Sequence, residues 1–320
     1  MKEAIAIDPE LMKEYSAVRD GGVGLIDLSD RGRISVSGSE AVMFLNGLIT
    51  NDLKTLDENH WMPAAFPNVQ GRLLAAVRVI RRANDILLDT EAATREKVIK
   101  IIERFTMAGD FKVTDLTDAT AMISVQGRRA SELREQISRE EVTIVPATHT
   151  AEDGFDLIID GKEKSSVWRS LVDAGATPVS ERVEEILRIE AGIARYGLDM
   201  DETNVVTETN LDDAVSYTKG CYLGQEIIVR IKHRGHVAKK LTGLRFETEQ
   251  KVEPGAVIKS ADAKEIGRVT SATFSPTLQA TIALAYVRYE HQAPGTRVVV
   301  ENAPAVVAEL PFVRGSWYED

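Results

Sequence analysis

Hydrophobic positions in the first 200 residues follow two different periods, and these predict a mixture of helices and strands. In the segment 91–106, Val98, Ile101, Ile102 and Phe105 recur at helical spacing and share one face of an amphipathic helix. Further helices are predicted at 9–20, 39–48, 128–138, 163–174 and 181–193, and strands at 23–28, 33–37, 72–80, 85–89, 111–116, 120–125 and 155–160. We therefore expect a mixed α and β structure in this part of the chain.

The pattern changes after Val237, where short β-rich runs alternate with turns and no long amphipathic helix follows. These runs lie at 241–247, 255–259, 265–273, 280–287, 296–301 and 305–310. Such a series predicts a separate antiparallel barrel or sandwich. We expect two domains, residues 1–238 and residues 239–320.

The charge balance and the cysteine content exclude several classes of protein. The 39 Lys and Arg residues and the 50 Asp and Glu residues give a net charge of −11, and an acidic chain is a poor general binder of nucleic acid or anionic membrane. Cys221 is the only cysteine, so the chain can form no internal disulfide, and one thiol cannot hold a four-ligand zinc or iron–sulfur site. The N-terminus is too interrupted by charge for a signal peptide, and no apolar run approaches the ~18–20 residues that span a bilayer. We expect a cytoplasmic protein with no metal and no membrane partner.

Glu190 is an acidic residue on the apolar side of a predicted helix. At ~100° per residue it falls within the arc formed by Val183, Ile186, Leu187, Ile189 and Ile193. A buried carboxylate is costly unless it meets hydrogen-bond donors. The donors could belong to a ligand in the core or to an internal partner such as an arginine. The pattern leaves both alternatives open, as it does a helix that frays before Glu190.

The only thiol lies in the segment Lys219-Gly220-Cys221-Tyr222-Leu223-Gly224-Gln225-Glu226. The residues from Gln225 to Lys232 predict a short helix with Gly224 at its N-cap. Cys221 would then lie just before a helix N-terminus and two residues from Lys219, and both surroundings favour a thiolate. Cys221 is therefore a candidate reactive group with Lys219 beside it, although a lone cysteine is more often a small buried hydrophobic residue.

Residues 219–240 carry a local excess of positive charge. Six cations and one acid, Glu226, give six minus one, or +5, within a chain of net charge −11. The cations are Lys219, Arg230, Lys232, Arg234, Lys239 and Lys240. Such a patch suits an anionic small molecule, an acidic peptide or a nucleic-acid backbone, and a solvated surface is the alternative.

Ordered sequence blocks along nearly the whole chain match one known superfamily. They are Gly22–Ser29, Arg33–Gly38, Phe44–Asp52, Arg188–Gly192, Gly267–Ser271, Ser275–Leu278, Ile282–Val287 and Leu310–Phe312. Together with the thiol segment, they resemble the folate-binding YgfZ family within the glycine-cleavage T-protein (aminomethyltransferase) superfamily. The resemblance implies an α+β fold, in which a T-protein-like folate-binding module of two mixed, interleaved α/β subdomains precedes a C-terminal antiparallel β-barrel.

The resemblance also implies a site for tetrahydrofolate or a derivative in the N-terminal module. In the superfamily the glutamate of the RxEAG segment binds the pterin, and the matching residue here is Glu190. A carboxylate suits the adjacent N–H donors on the edge of a pterin. From charge alone, we expect Arg230 and Arg234 to bind the glutamate tail of folate.

Two differences separate the branches of this superfamily. The transferase branch carries a catalytic aspartate in a Gly-Gly-x-x-Asp-Asp-like segment, and the matching stretch here, Gln70–Ala76, has alanines where the acids should be. The thiol motif, comprising Lys219, Gly220, Cys221, Tyr222, Gly224, Gln225 and Glu226, is typical of YgfZ. The resemblance therefore implies the YgfZ branch, which is associated with assembly or repair of iron–sulfur clusters and, through its client enzymes, with tRNA modification.

Three functions follow from these observations. The main expectation is a folate-binding accessory protein for iron–sulfur client proteins, with Cys221 as the reactive group at the mouth of the site. The alternative is a folate-dependent aminomethyltransferase or another one-carbon transferase, in which case the missing aspartate argues against glycine cleavage. The third is direct RNA binding through residues 219–240, which the acidic net charge disfavours.

Overall fold

The computed structural model describes residues 8–104, 109–135, 137 and 142–319. Within these ranges the α-helices are α1 (Pro9–Arg19), α2 (Ala41–Leu48), α3 (Arg95–Glu103), α4 (Ala130–Arg134), α5 (Lys164–Asp173), α6 (Glu181–Glu190) and α7 (Gln225–Arg234). The strands of the N-terminal part are β1 (Gly24–Asp27), β2 (Gly32–Ser37), β3 (Trp61–Pro67), β4 (Leu73–Arg81), β5 (Ile86–Thr90), β6 (Lys112–Asp115), β7 (Thr120–Gln126), β8 (Thr143–Pro146), β9 (Gly154–Asp160) and β10 (Thr177–Pro178). The C-terminal strands are β11 (Lys239–Phe246), β12 (Val257–Lys259), β13 (Glu265–Ser275), β14 (Ala280–Arg288), β15 (Arg297–Val300) and β16 (Ala303–Ala308).

Two five-stranded sheets form the N-terminal part. The first has the order β10-β1-β7-β9-β8 and the second the order β3-β4-β5-β2-β6. An apolar cluster joins the two sheets, with Ile26 from β1 and Ile158 from β9 meeting Leu87 from β5. Helices α2 and α3 pack on the second sheet, and α4 and α5 pack on the first. Each helix thereby buries its apolar face against a sheet, which is the arrangement that hides the most hydrophobic surface from water.

The side chains of strand β4 alternate between two environments on the two faces of its sheet. Ala75, Val77 and Val79 belong to the core beneath α2 and α3, whereas Ile80 joins the cluster between the sheets. Because successive side chains of a strand point to opposite faces, Ala76 lies on the face opposite Ala75. The second face of β4 is the one that reaches the candidate site.

The C-terminal strands close into a barrel with the order β11-β14-β13-β12-β15-β16. Helix α6 lies between α1 and this barrel, since Leu187 packs against α1 and Ile189 packs against the barrel. The chain beyond the barrel returns to α6, where the backbone N–H groups of Phe312 and Val313 donate to the carbonyl oxygen of Glu190 at 2.9 and 3.1 Å. The described helices include none that is long and apolar enough to cross a membrane.

The predicted fold class is confirmed, with a mixed α and β part followed by a closed antiparallel barrel. Three strands, β3, β8 and β10, were missing from the prediction, and all three lie at a sheet edge. Strand β3 contains Pro63 and Pro67, which argue against a strand in sequence but are tolerated at an edge because no further strand needs their missing N–H groups. Phe105 and most of residues 136–141 lie outside the described residues.

Candidate functional site

A cavity of about 180 Å³ lies between the two sheets and the start of the segment after α6. Its apolar lining consists of Leu28, Pro63, Ala64, Ala76, Val77, Ala147, Ile193, Ala194, Met200 and Leu211. Its polar lining consists of Arg31, Trp61, Arg78, Glu91, Thr148, His149, Glu184, Arg188 and Arg195. The volume is below the ~300–1,000 Å³ of pockets that enclose a drug-sized ligand. The cavity therefore suits a flat ring system whose remaining part extends outside it.

A chain of charged side chains forms one wall of this cavity. The cross-strand register places Arg78 of β4 opposite Asp89 of β5, and their Nε and Oδ2 atoms are 2.6 Å apart. Arg31 contacts the other oxygen of Asp89, with 2.8 Å between Nε and Oδ1. On its second side, Arg78 donates from Nη2 to Asp156 Oδ2 at 2.6 Å, and Asp156 in turn contacts His149. The chain of ion pairs thus links the two sheets.

The arginines keep the buried carboxylates of this wall ionised. Burial alone opposes the ionisation of Asp89, but the charges of Arg31 and Arg78 lower its pKa to about 2. The pKa of Asp156 is lowered as well, because its contacts with His149 and Arg78 outweigh its burial. Arg78 has one guanidinium nitrogen left over, since Nη1 is buried and finds no acceptor among the described residues.

Glu190 belongs to a different cluster, in which every oxygen is already occupied. Its carboxylate is fully buried and accepts hydrogen bonds from Tyr15 Oη at 2.8 and 2.9 Å, from Arg19 Nε at 3.1 Å and Nη2 at 2.8 Å, and from Ser275 Oγ at 2.5 Å. Arg19 also contacts Glu152, with 2.9 Å between Nη1 and Oε1. Glu190 does not line the central cavity. Of the two alternatives for this inward carboxylate, the structure contains the internal arginine partner.

In the comparison with known proteins, the two parts of this architecture match two domains of one family. The GCVT N-terminal domain matches residues 5–219, and the glycine cleavage T-protein C-terminal barrel domain matches residues 239–314. The chain belongs to the glycine-cleavage T-protein family.

Relatives and solved structures of this T-protein family extend over nearly the whole chain. An aminomethyltransferase of Rubrobacter xylanophilus is 32% identical over 94% of this chain and 86% of its own length, and one of Thermotoga neapolitana is 29% identical over 96% and 90%. The glycine cleavage system aminomethyltransferase T from Bartonella henselae has a TM-score of 0.88 and 23% identity, covering 97% of this chain and 91% of that one, which establishes a shared fold. These relatives bear the aminomethyltransferase name, and the narrower YgfZ assignment stays a prediction.

Strand β4 carries the segment in which the transferase branch of the T-protein family is expected to hold its catalytic aspartate. Ala75 is buried in the core, and Ala76 lines the cavity. Glu91 and Glu184 are the acids that line it instead, and both are held by arginines, Arg31 and Arg195 respectively. Burial raises the pKa of Glu184, and the charge of Arg195 opposes that effect only in part. The cavity wall therefore has no carboxylate at the expected place on β4.

Lys219 has a structural position in this T-protein fold. Its ammonium donates to the carbonyl oxygens of Asn46, Ile49 and Asn51 at 2.7, 3.0 and 2.6 Å, at the end of α2. An ammonium has three donors, so none remains for the neighbouring thiol. Burial lowers the pKa of Lys219 to about 8. The carbonyls at the helix end therefore occupy the donors of Lys219 in this structure, and its catalytic role stays a prediction.

Cys221 is exposed on a turn that the rest of the motif holds in place. Tyr222 is buried beside Val206 and Ile228, and Gly224 has φ of +77° and would place a Cβ 2.3 Å from the carbonyl oxygen of Asn68. Only glycine satisfies both conditions there. Helix α7 then begins at Gln225, as predicted. Gly220 and Glu226 are exposed, so the motif presents the thiol at the surface.

Arg230 and Arg234 do not line the central cavity. Both are exposed on α7, and Arg230 forms an i,i+4 pair with Glu226, with 2.5 Å between Nη2 and Oε1. The structure does not bring them together with Glu190, and the solvated-surface alternative describes them better. Sequence reasoning missed Arg78 and His149, which line the cavity, and Asp156, which contacts both. The signal for Arg78 and Asp156 was a charged residue inside a predicted apolar strand, 72–80 and 155–160 respectively, whereas His149 lies outside the predicted strands and gave no such signal.

Proposed function

We propose that this chain is a folate-dependent one-carbon transferase of the T-protein type that holds the pterin ring of tetrahydrofolate in the central cavity. The observation that carries the proposal is the cavity itself, which lies within the matched GCVT domain and has one apolar wall and one charged wall. The relatives named aminomethyltransferase support the same class of reaction.

The residues present fit a pterin. Trp61 offers an aromatic ring, and the guanidinium of Arg78 lies 5.7 Å from its centroid. Glu91 and Glu184 would accept hydrogen bonds from ring N–H groups. Arg78, which lines the cavity, would place its positive charge beside the ring. When bound, tetrahydrofolate supplies the nitrogen atoms that carry a one-carbon unit, and the chain orients the ring and excludes water around it.

Calorimetric titration with tetrahydrofolate tests this proposal. We expect Ala76→Leu to weaken binding by about tenfold or more, because the added methyl groups fill the cavity and remove space rather than charge. Ala83→Leu, at the exposed turn after β4, is the matched control and should bind as the wild type does. The proposal fails if the wild type does not bind tetrahydrofolate, or if Ala76→Leu binds it equally well.

A second candidate function is an accessory role toward iron–sulfur client proteins. The exposed thiol of Cys221, on a turn fixed by Gly224, favours it because a partner protein can reach that sulfur. We expect Cys221→Ala to lower the activity of client cluster enzymes in cells while leaving tetrahydrofolate binding unchanged. Gly220→Ala is the control on the same turn, since its Cβ would meet nothing within 4 Å. Equal client activity in the strains that carry the wild type, Cys221→Ala and Gly220→Ala would remove this candidate.

A further inference from the structure

We infer that His149, oriented by Asp156, is the proton acceptor of the central cavity. The inference rests on the proposed function, because it identifies the group that would serve an amine substrate in that cavity. His149 lines the cavity, and its Nε2 atom lies 3.2 and 3.1 Å from the two oxygens of Asp156. The pair joins the loop after β8 to strand β9.

The contact with Asp156 decides which nitrogen of the imidazole carries hydrogen. Asp156 is fully buried, and Arg78 Nη2 at 2.6 Å helps to keep it ionised. An ionised carboxylate only accepts hydrogen bonds, so Nε2 must be the donor in the neutral ring. Nδ1 then holds the lone pair, and it has no hydrogen-bond partner among the described residues.

The other acid–base groups of the cavity are already engaged. Asp89 accepts from Arg31 and Arg78, while Glu91 is paired with Arg31 and Glu184 with Arg195. Strand β4 contributes Ala76 at the wall. Among the described side chains lining the cavity, His149 is the one that combines a free lone pair with a fixed orientation.

The chemistry is a single proton transfer. An amine enters in its ammonium form, one N–H bond breaks and leaves its electron pair on the amine nitrogen, and an N–H bond forms at Nδ1 of His149. The imidazolium that results is stabilised by the negative charge of Asp156, in the same way that a buried carboxylate supports a histidine base elsewhere. No oxidant, reductant or metal is needed for this step.

The charges around His149 come from several elements. Asp156 on β9 and Glu184 on α6 favour the imidazolium, and Glu184 is close enough for its own pKa to respond to His149. Arg78 on β4 opposes the imidazolium, although its charge is shared between Asp89 and Asp156. Arg195, Arg31 and Glu91 line the same cavity in ion pairs.

Nitrogen NMR of histidine-labelled full-length protein tests the inference without any assay of turnover. His149→Gln assigns the His149 signals, and His60→Gln, at an exposed position, is the control. We expect the neutral Nε2–H tautomer in the wild type and a loss of that preference in Asp156→Asn. Adding tetrahydrofolate should shift the Nδ1 resonance. The affinity for tetrahydrofolate should fall about tenfold in His149→Gln, which loses the acceptor, and stay at the wild-type value in His60→Gln.

The outcomes separate this inference from the proposed function. An Nδ1–H tautomer, or an unchanged tautomer in Asp156→Asn, overturns the oriented base. Saturation with tetrahydrofolate that leaves the Nδ1 resonance unmoved overturns the role of His149 in the cavity. Failure of the wild type to bind tetrahydrofolate in calorimetry overturns the proposed function, and the tautomer in Asp156→Asn still decides whether His149 is an oriented base. If Asp156→Asn does not fold, the affinity of His149→Gln for tetrahydrofolate decides the matter, and an affinity equal to that of the wild type contradicts the inference.

Discussion

Two buried charged clusters in this chain use the same residue types and have opposite characters. In the cluster of Glu190 and Arg19, hydrogen bonds from Tyr15, Arg19 and Ser275 occupy both carboxylate oxygens, and Glu190 lies away from the central cavity. In the cluster of Arg78 and Asp156, the carboxylates are equally well paired, yet Nη1 of Arg78 and Nδ1 of His149 have no hydrogen-bond partner among the described residues, and both residues line the cavity.

The difference teaches that burial of a charge does not by itself indicate a binding site. A closed cluster has used all its hydrogen-bonding capacity inside the protein, and its role is to hold elements together. An open cluster keeps a donor or an acceptor that only a ligand or water can satisfy. The number of unused hydrogen-bonding positions therefore separates the two clusters better than depth or charge.

The largest effect is expected from breaking the closed cluster. Glu190→Gln removes the charge that faces Arg19 and leaves a buried guanidinium with one carboxylate fewer, so we expect the free energy of unfolding to fall by about 3–5 kcal/mol. Urea denaturation followed by circular dichroism measures it. Glu226→Gln, in an exposed pair with Arg230, should cause no measurable change. If Glu190→Gln lost tetrahydrofolate affinity without losing stability, Glu190 would be a ligand contact after all.

Lys219 provides a second closed site and a somewhat smaller effect. Lys219→Met leaves three carbonyl oxygens at the end of α2 without their donor, and we expect a loss of about 2–3 kcal/mol. Thermal unfolding of Lys219→Met and Lys232→Met compares this buried ammonium with an exposed one on α7. Equal midpoints for the two variants would show that the three carbonyls do not depend on Lys219.

The stability that the open cluster of Arg78 and Asp156 contributes, with Asp89 beside it, should decrease in acid. The pKa of Asp89 is about 2 in the folded chain against an ordinary 3.8, so its contribution is complete above about pH 4 and disappears as the pH falls toward 2. The difference of nearly two pKa values corresponds to about 2 kcal/mol. We expect Asp89→Asn to be less stable than the wild type at pH 7. Between pH 5 and pH 2, its free energy of unfolding should fall by about 2 kcal/mol less than that of the wild type. Unfolding curves at pH 5 and pH 2 check this. An equal loss of unfolding free energy in the variant and the wild type between these pH values would contradict it.

The smallest effect is expected at the exposed thiol. Cys221→Ser should leave the unfolding midpoint unchanged, because the side chain is exposed and takes part in neither cluster. Gly224→Ala, three residues further on, should lower stability by about 1–3 kcal/mol, since the left-handed backbone and the carbonyl of Asn68 exclude a Cβ. A destabilised Cys221→Ser would show that the thiol is packed rather than presented.

Sequence periodicity located the elements better than it located the site. The barrel strands and the inward direction of Glu190 could be predicted, because alternation and helical spacing are local properties of the chain. The partners of Glu190 could not, since Tyr15, Arg19 and Ser275 are 175, 171 and 85 residues away. The same holds for His149, whose cavity neighbours Trp61 and Arg78 lie on strands of the other sheet. Arg230 and Arg234 were selected from net charge, which records composition and not direction.

The chain beyond the barrel has a consequence for dividing the protein into parts. Phe312 and Val313 cap the end of α6 through the carbonyl of Glu190, and both the backbone N–H and the hydroxyl of Ser316 donate to Glu152 at 2.9 Å. Residues 312–316 thus pack against the first domain, although they follow the second domain in the sequence. A fragment that stops between the two matched domains would leave the carbonyl of Glu190 and the carboxylate of Glu152 without these donors, so we expect the first domain to be less stable alone than in the full chain.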